Sequence, residues 1–268
     1  MADASDRWMV RETGPVTGLA QWSQRVAAPR ATLVTVHGGL DRGRSFVRVA
    51  RRLADWDVVT YDRRGYQSSR SLGVGRFEEH VHDLRRIIEH EREHHDVPII
   101  TLGHSFGGVV ALGALAATSG LVAGTVLYEA PLPWILRRGD HRTIPATASA
   151  RAAEEFFKHV VSPAAWERLS DAERLSRQLD GPALVGDLRV LEEPAPFDVT
   201  ALDEDVTYAY GHWERTPYYR ELGARMATLT DAVRFVEVDG ARHDAHLRRP
   251  DALAALARQV LEDACASA

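Results

Sequence analysis

The alternation of short apolar runs with helical stripes is the feature of this sequence that most constrains its fold. The run at 31–36 (Ala-Thr-Leu-Val-Thr-Val) is rich in β-branched residues and ends abruptly at His-Gly-Gly, which is typical of a strand buried inside a sheet. The apolar residues that follow, among them Phe46, Val49 and Leu53, recur at helical spacing. Repetition of these two signals predicts an α/β fold whose mostly parallel central sheet carries helices on both faces.

The same signals recur along most of the chain. The predicted strands are 31–36, 57–61, 97–102, 124–128, 206–210 and 233–238, preceded by a hairpin of 8–11 with 19–24. Between 132 and 197 no convincing strand is found, and helical patterns occur at 147–160, 163–169 and 171–191. We therefore expect a core domain formed by 1–131 and 198–268, with a helical cap inserted at 132–197.

Composition excludes several classes of protein. The 268 residues carry a net charge of −5, and a chain without a basic excess is not expected to bind nucleic acid. The single cysteine, Cys265, excludes an internal disulfide and a cysteine zinc cluster. The longest apolar stretch, 109–124, falls short of the roughly 20 residues that a membrane span needs, and the first residues lack the apolar core of a signal peptide. We expect a cytoplasmic protein with no membrane partner and no cofactor.

A Gly-x-Ser-x-Gly pattern stands at 103–107 (Gly-His-Ser-Phe-Gly), between a predicted strand and a predicted helix. That context is typical of a nucleophile elbow, in which a sharp turn exposes the serine Oγ above the sheet. The free N–H groups of the following helix point at the same place and favour developing negative charge. Ser105 is therefore the candidate nucleophile.

A serine nucleophile needs a general base, and on this architecture the expected order is serine, acid, histidine. His243 follows the last predicted strand and is our choice, while His246, His212 and the histidines of residues 80–95 are competitors. His90 and His94 stand four residues apart on a predicted helix, as a metal-binding pair would. Their surroundings are charged and show no third ligand, so we interpret them as a solvated helix face and expect no metal site.

The acid that orients the base is chosen from residues near strand ends. Glu214 lies just beyond the strand at 206–210 and 29 residues before His243, and it is the preferred candidate. Glu129, at the end of the preceding strand, is the main competitor.

The oxyanion hole needs two backbone N–H donors aimed at the developing charge. One is expected from Phe106, directly after the nucleophile, and the other from the loop at 37–40. Gly39 is our choice in that loop, because the missing side chain leaves room for the acyl carbon.

Together these motifs resemble the α/β-hydrolase superfamily in its capped form, and the resemblance extends over nearly the whole chain. The matching segments are 37–39, 62–69 (Asp-Arg-Arg-Gly-Tyr-Gln-Ser-Ser), 103–107, 211–214 and 240–243. Gln67 replaces a frequent glycine, the acid is Glu where Asp is more usual, and Arg242 replaces a small residue. None of these departures removes a required chemical group.

The resemblance implies a triad of Ser105, Glu214 and His243, with the helical segment as a lid over the active site. A serine at the elbow argues against the dehalogenases and epoxide hydrolases of the superfamily, which use an aspartate there. The expected reaction is hydrolysis of a small-to-medium carboxylic ester through an acyl-enzyme. A carbon–carbon bond hydrolase, a thioesterase, a biosynthetic lyase or cyclase and a non-catalytic receptor are alternatives, because the fold does not select among them.

Large residues near the lid and the elbow are candidates for the substrate pocket. We expect a small-molecule acyl substrate to contact Leu40, His104, Trp134, Phe157 and Trp213. The lid aromatics could equally form the core of the lid itself. A homodimer is one possible assembly of the chain, and the sequence does not decide it.

Overall fold

The computed structural model describes residues 9–137, 149–212 and 216–267. Within these ranges, eight strands form one sheet. They are β1 (Val10–Glu12), β2 (Gln21–Gln24), β3 (Thr32–Val36), β4 (Asp57–Tyr61), β5 (Ile99–His104), β6 (Gly124–Tyr128), β7 (Val206–Gly211) and β8 (Val233–Val238). The six strands predicted after the hairpin are present, and their ends differ from the prediction by at most two residues.

The strands are arranged in the order β1-β2-β4-β3-β5-β6-β7-β8. β1 and β2 form the expected antiparallel hairpin, and β2 is also antiparallel to β4. Every other pair is parallel, with Leu33 of β3, for example, opposite both Val58 and Ile100. The mostly parallel sheet is therefore confirmed, and the carboxyl ends of β3 to β8 lie along one edge, where α/β folds bind their ligands.

Helices cover both faces of this sheet. They are α1 (Val47–Ala50), α2 (Phe77–His94), α3 (Phe106–Ala117), α4 (Ser149–Val160), α5 (Pro163–Glu167), α6 (Asp171–Leu179), α7 (Gly181–Val190), α8 (Thr216–Leu229), α9 (Ala245–Arg248) and α10 (Pro250–Ser267). Leu84 of α2, Val109 of α3 and Leu222 of α8 are buried in the core on one face. Val49 of α1 and Leu253 of α10 are buried in the core on the other face. The strand side chains alternate between the two cores because the side-chain period of a strand is two.

Helices α4 to α7 lie between β6 and β7 in the chain. The single helix predicted at 171–191 is in fact two, α6 and α7, which meet at Asp180. Pro182 explains the break, since its ring lacks an N–H and clashes with the carbonyl four residues earlier in a continuous helix. Gly181 lets this junction approach α4: a Cβ there would lie 2.2 Å from the carbonyl oxygen of Ser149.

A buried ion pair ties α7 to the edge of the sheet. Arg63 has no exposed surface and donates from its two Nη atoms to the carboxylate of Asp187, at 3.0 and 2.6 Å. The Tyr66 hydroxyl donates to the same carboxylate at 2.6 Å. Arg63 Nε donates to the carbonyl of His37 at 2.9 Å, so Arg63 links α7 to the loop after β3.

Asp180 makes a second connection between the helical segment and the sheet. Its carboxylate accepts hydrogen bonds from the backbone N–H of Gln67 at 3.0 Å, from the Gln67 side-chain amide and from Arg70 Nε at 2.6 Å. Gln67 has a φ of +43°, in the left-handed region that glycine tolerates best. This conformation explains why the family resembled by the chain often has a glycine where this chain has Gln67.

Candidate active site

Loops that follow four strands bring the predicted catalytic residues to one edge of the sheet. The segment 37–39 follows β3, Ser105 follows β5, Glu129 follows β6, and His243 comes five residues after β8. Because these strands are parallel, residues far apart in the chain become neighbours at their carboxyl ends.

Ser105 occupies a strained turn between β5 and α3. Its backbone has φ +52° and ψ −128°, which a residue with a Cβ rarely adopts. Gly107 gives the turn room, since a Cβ there would lie 2.2 Å from the carbonyl oxygen of Val36. A Cβ on Gly103 would lie 2.5 Å from the Cα of Gly108. The backbone therefore has the geometry of a nucleophile elbow.

His243 is oriented by a buried carboxylate. Its Nδ1 lies 2.7 Å from Oε2 of Glu129, which has no exposed surface. The other oxygen, Oε1, accepts a hydrogen bond from the Gly211 backbone N–H at 3.0 Å. A proton held on Nδ1 by this carboxylate leaves Nε2 as the basic atom of the ring, which is the tautomer that a general base requires.

Among the described residues, the acid hydrogen bonded to His243 is Glu129, the competitor in the sequence analysis. The preferred candidate, Glu214, lies outside the described residues, and its role stays a prediction. β6 pairs with β5, so Glu129 follows the strand next to the nucleophile strand. Glu129 also has a φ of +49°, an unusual turn that no pattern in the sequence reveals.

His104, one of the predicted substrate contacts, holds the histidine loop. Its Nε2 donates to the backbone carbonyl of His243 at 2.7 Å. Burial lowers the pKa of His104 well below its ordinary value, and the neighbouring His246 and His243 lower it further. His104 is therefore a neutral imidazole that holds the His243 loop next to the turn at Ser105.

The loop at 37–40 packs against Ser105. A Cβ on Gly38 would lie 2.8 Å from the Cβ of Ser105, so only glycine fits there. His37 stabilises the loop, since its Nδ1 donates to the Gly38 carbonyl at 2.7 Å and its Nε2 accepts from the Arg63 N–H at 2.8 Å. Burial, with Arg63 beside the ring, lowers the pKa of His37 to about 3. Phe106 is the first residue of α3, where backbone N–H groups have no partner within the helix.

A cavity lies between these loops and helix α4. Its lining consists of Gly39, Leu40, Asp41, His104, Phe156, Phe157, Val160, Val161, Arg177, Arg242, His243, Asp244, His246 and Leu247. Most of the helical contribution is apolar, whereas the strand-end loops contribute polar and ionisable groups. This division is typical of a pocket that binds an apolar chain and holds its reactive end against catalytic groups.

The predicted pocket residues are only partly brought together. Leu40, His104 and Phe157 line this cavity, as do the predicted Gly39 and His243. Trp134 instead packs edge-on against Phe197, with 5.7 Å between the ring centres, beside the sheet core. Trp213 lies outside the described residues. The roles of these residues in binding stay predictions.

Three charged residues of this region were not identified from the sequence. Asp187 lies on the apolar face of α7 with Leu184, and a charge in that position is a signal for a buried partner. Arg177 lines the cavity with its guanidinium 5.1 Å from the ring centre of Phe157. Asp41 also lines the cavity, close to His246, and only the folded chain brings those two residues together.

Comparison with known proteins agrees with this architecture. A sequence model of the Alpha/beta hydrolase family matches residues 33–256. The chain therefore belongs to the α/β-hydrolase family. A thermophilic esterase from Thermogutta terrifontis has a similar structure, with a TM-score of 0.67 over 96% of this chain and 98% of that one. At 20% identity this likeness shows the shared fold alone.

Two curated relatives are similar over part of their length. Lipase LipV of Mycobacterium tuberculosis is 30% identical over 99 residues, which is 37% of each chain. Human monoglyceride lipase is 29% identical over 120 residues, covering 43% of this chain and 39% of that protein. The matched part thus spans less than half the length of either relative. Among the described residues, no helix is long and apolar enough to cross a membrane.

Proposed function

We propose that this protein is a serine hydrolase that cleaves carboxylic esters through an acyl-enzyme on Ser105. One observation carries the proposal: the 2.7 Å hydrogen bond between His243 and the buried Glu129, at the sheet edge where Ser105 occupies a strained strand-to-helix turn. A nucleophile, a base and an orienting acid are the three groups that acyl transfer requires. The curated relatives, which are named as lipases, support the same reaction class.

In the proposed mechanism, His243 Nε2 removes the hydroxyl proton of Ser105 as Oγ bonds to the ester carbonyl carbon. The tetrahedral intermediate collapses when the imidazolium gives this proton to the departing alcohol oxygen. Water then attacks the acyl-enzyme with His243 again as base, which releases the carboxylic acid and restores Ser105. Glu129 stabilises the imidazolium formed in both steps and keeps its proton on Nδ1.

The oxyanion of each intermediate is assigned to the backbone N–H groups of Gly39 and Phe106. Phe106 is supported by its place at the start of α3, and Gly39 by its place in the cavity lining. The loop that carries Gly39 packs against the nucleophile through Gly38, as an oxyanion loop must. Preorganised donors of this kind are usually the largest single contribution to acyl-transfer catalysis.

The helical segment at 132–197 is proposed as a lid on a core formed by 1–131 and 198–268. Its helix α4 contributes Phe156 and Phe157 to the cavity wall opposite the catalytic loops. The apolar wall suits a small-to-medium acyl chain, and the lid would shield the bound substrate from bulk solvent. The substrate is proposed to be a small molecule. A cytoplasmic location and homodimer formation are predictions that await their own measurements.

A covalent label and a turnover assay test the proposal together. We expect a fluorophosphonate to add one adduct to the wild-type protein and none to Ser105→Ala, measured by intact mass. Hydrolysis of p-nitrophenyl esters of C2 to C12 acids should fall about 10⁴-fold or more in kcat for Ser105→Ala. Ser119→Ala, on an exposed turn, is the matched control and should behave like the wild type. Retention of activity in Ser105→Ala, or labelling without multiple turnovers, would contradict the proposal.

A further inference from the structure

Three metal-binding side chains from separate parts of the chain meet in the cavity wall. Asp41 comes from the loop after β3, His104 is the last residue of β5, and His246 lies on α9. One ligand atom of each lies within 4.8 Å of the ligand atoms of the other two. All three residues line the cavity that also contains His243. We infer that Asp41, His104 and His246 form a binding site for a divalent transition-metal ion of the zinc type.

Both histidines have buried ring nitrogens without a hydrogen-bond partner. Because His104 Nε2 donates to the His243 carbonyl, the lone pair of the ring is on Nδ1, and this buried atom has no hydrogen-bond partner. A metal-bound histidine typically donates its other N–H to a backbone carbonyl in this way. His246 is 3% exposed, stacks on Phe46 with 5.0 Å between ring centres, and hydrogen bonds through neither nitrogen.

Asp41 supplies the anionic ligand. Its Oδ2 lies 3.3 Å from His246 Nε2, without the alignment of a hydrogen bond. This separation equals the edge of a tetrahedron around zinc, about 3.3 Å for metal–ligand bonds of about 2.0–2.1 Å. The Ser45 hydroxyl donates to Oδ2 at 3.0 Å and supports the carboxylate from outside the cluster.

The donor set selects the class of ion. Two imidazoles with one carboxylate form a set that zinc accepts in proteins, with a fourth position left for water or substrate. Calcium and magnesium prefer sites made entirely of oxygen ligands, so they fit this cluster poorly. The fourth position would face the cavity, since all three residues line it.

Among the described residues, a second group of potential metal ligands provides a matched control. His90, Glu93 and His94 lie on α2, and His94 Nδ1 is hydrogen bonded to the His90 carbonyl at 2.7 Å. Glu93 and His94 are exposed to solvent. A site of this kind binds metal weakly because water competes for every ligand, so its removal should leave tight binding unchanged.

Occupancy of the cluster would also affect catalysis, an expectation that rests on the proposed function. The rings of His104 and His243 are 4.7 Å apart between centres. A dication bound to His104 would oppose formation of the His243 imidazolium, because neighbouring like charges repel. We therefore expect zinc to inhibit the esterase reversibly, with a chelator restoring the activity.

The test uses metal binding as a readout that needs no activity. The full chain is stripped with a chelator, desalted and titrated with Co²⁺ by visible absorption and with Zn²⁺ by calorimetry. We expect one tight site per chain with the intense visible bands of low-coordinate cobalt. Asp41→Asn and, separately, His246→Gln should each weaken Zn²⁺ binding about 100-fold or more, whereas the double variant His90→Gln/His94→Gln should bind like the wild type.

Each outcome decides the inference. Loss of binding in both Asp41→Asn and His246→Gln, with thermal unfolding showing that they are folded, supports the site. Absence of tight binding by the wild type, or its loss only in the α2 double variant, overturns it. Zinc binding that persists while the wild type hydrolyses no ester leaves the site supported and the proposed function refuted, so the two failures are distinguishable.

Discussion

Oε2 of Glu129 and Nδ1 of His243 lie 2.7 Å apart, which links the end of β6 to the loop after β8. The carboxylate is fully buried and its second oxygen is held by the Gly211 N–H. An acid fixed in this way cannot turn to another partner without leaving a buried charge unpaired, which is costly. The pair therefore determines both the direction of the imidazole and the position of its proton.

Separate substitutions of the two candidate acids, Glu129 and Glu214, distinguish their roles. We expect Glu129→Gln to lower kcat about 10⁴-fold, because the amide stabilises the wrong histidine tautomer and does not stabilise the imidazolium. Glu214→Gln is the matched variant and should retain activity within a few-fold of the wild type. Steady-state kinetics with one p-nitrophenyl ester measures both. A large loss in Glu214→Gln with an active Glu129→Gln would contradict this assignment and support Glu214, the acid preferred from the sequence.

Enlarging the cavity should change the preferred length of the acyl chain. Phe157 lines the cavity, so Phe157→Ala is expected to raise kcat/KM for long p-nitrophenyl esters over short ones by about tenfold. Trp134→Ala is the control, because Trp134 packs against Phe197 instead of lining the cavity. An equal shift of chain-length preference in both variants would mean that this preference changes through loss of stability and not through the shape of the cavity.

Breaking the ion pair between α7 and the sheet should destabilise the protein strongly. Asp187→Asn leaves the buried Arg63 guanidinium without a counter-charge, and the expected loss is about 3–5 kcal/mol in the free energy of unfolding. Urea denaturation gives this difference. Asp231→Asn, at an exposed position, should change stability by no more than about 0.5 kcal/mol. A small effect of Asp187→Asn would show that water relieves the unpaired charge.

Buried histidines should make the protein less stable in mild acid. Burial lowers the pKa of His80 well below its ordinary value, and the nearby Arg63, Arg64 and His37 lower it further, while Asp187 lies 3.9 Å away. In the unfolded chain His80 therefore takes up a proton near pH 6.5, whereas in the folded chain it stays unprotonated at that pH. Stability is complete above that pH and falls as the pH decreases, by about 1.4 kcal/mol per pH unit for this group.

His80→Gln tests this linkage. The variant removes one titrating group, so its stability should fall less steeply with pH than that of the wild type, by about 1.4 kcal/mol per pH unit. Urea unfolding at several pH values between about 5 and 7.5 supplies the slopes. Comparing slopes separates the proton effect from any constant loss caused by the substitution. Equal slopes would show that His80 takes up its proton in the folded state as well.

The sequence was sufficient for the framework because local patterns encode it. Runs such as 31–36 and 57–61 are apolar on both sides, so they have to be buried in a sheet covered by helices. The tight turn at Ser105 could be predicted because Gly103 and Gly107 indicate it directly in the sequence. Helix boundaries were less accurate: the break between α6 and α7 was missed although Pro182 signals it.

Only the tertiary structure showed that Glu129 approaches His243 and which charges meet across the fold. Spacing along the chain favours Glu214, whose role stays a prediction. The contact of Glu129 with His243 depends on strand order and on the left-handed turn at Glu129, which the sequence does not reveal. Arg63 and Asp187 are 124 residues apart, and their pairing follows from where α7 packs on the sheet. Local propensity determines strands, helices and tight turns. The partners of buried charges are determined by packing, because a charge removed from water is costly unless an opposite charge lies beside it.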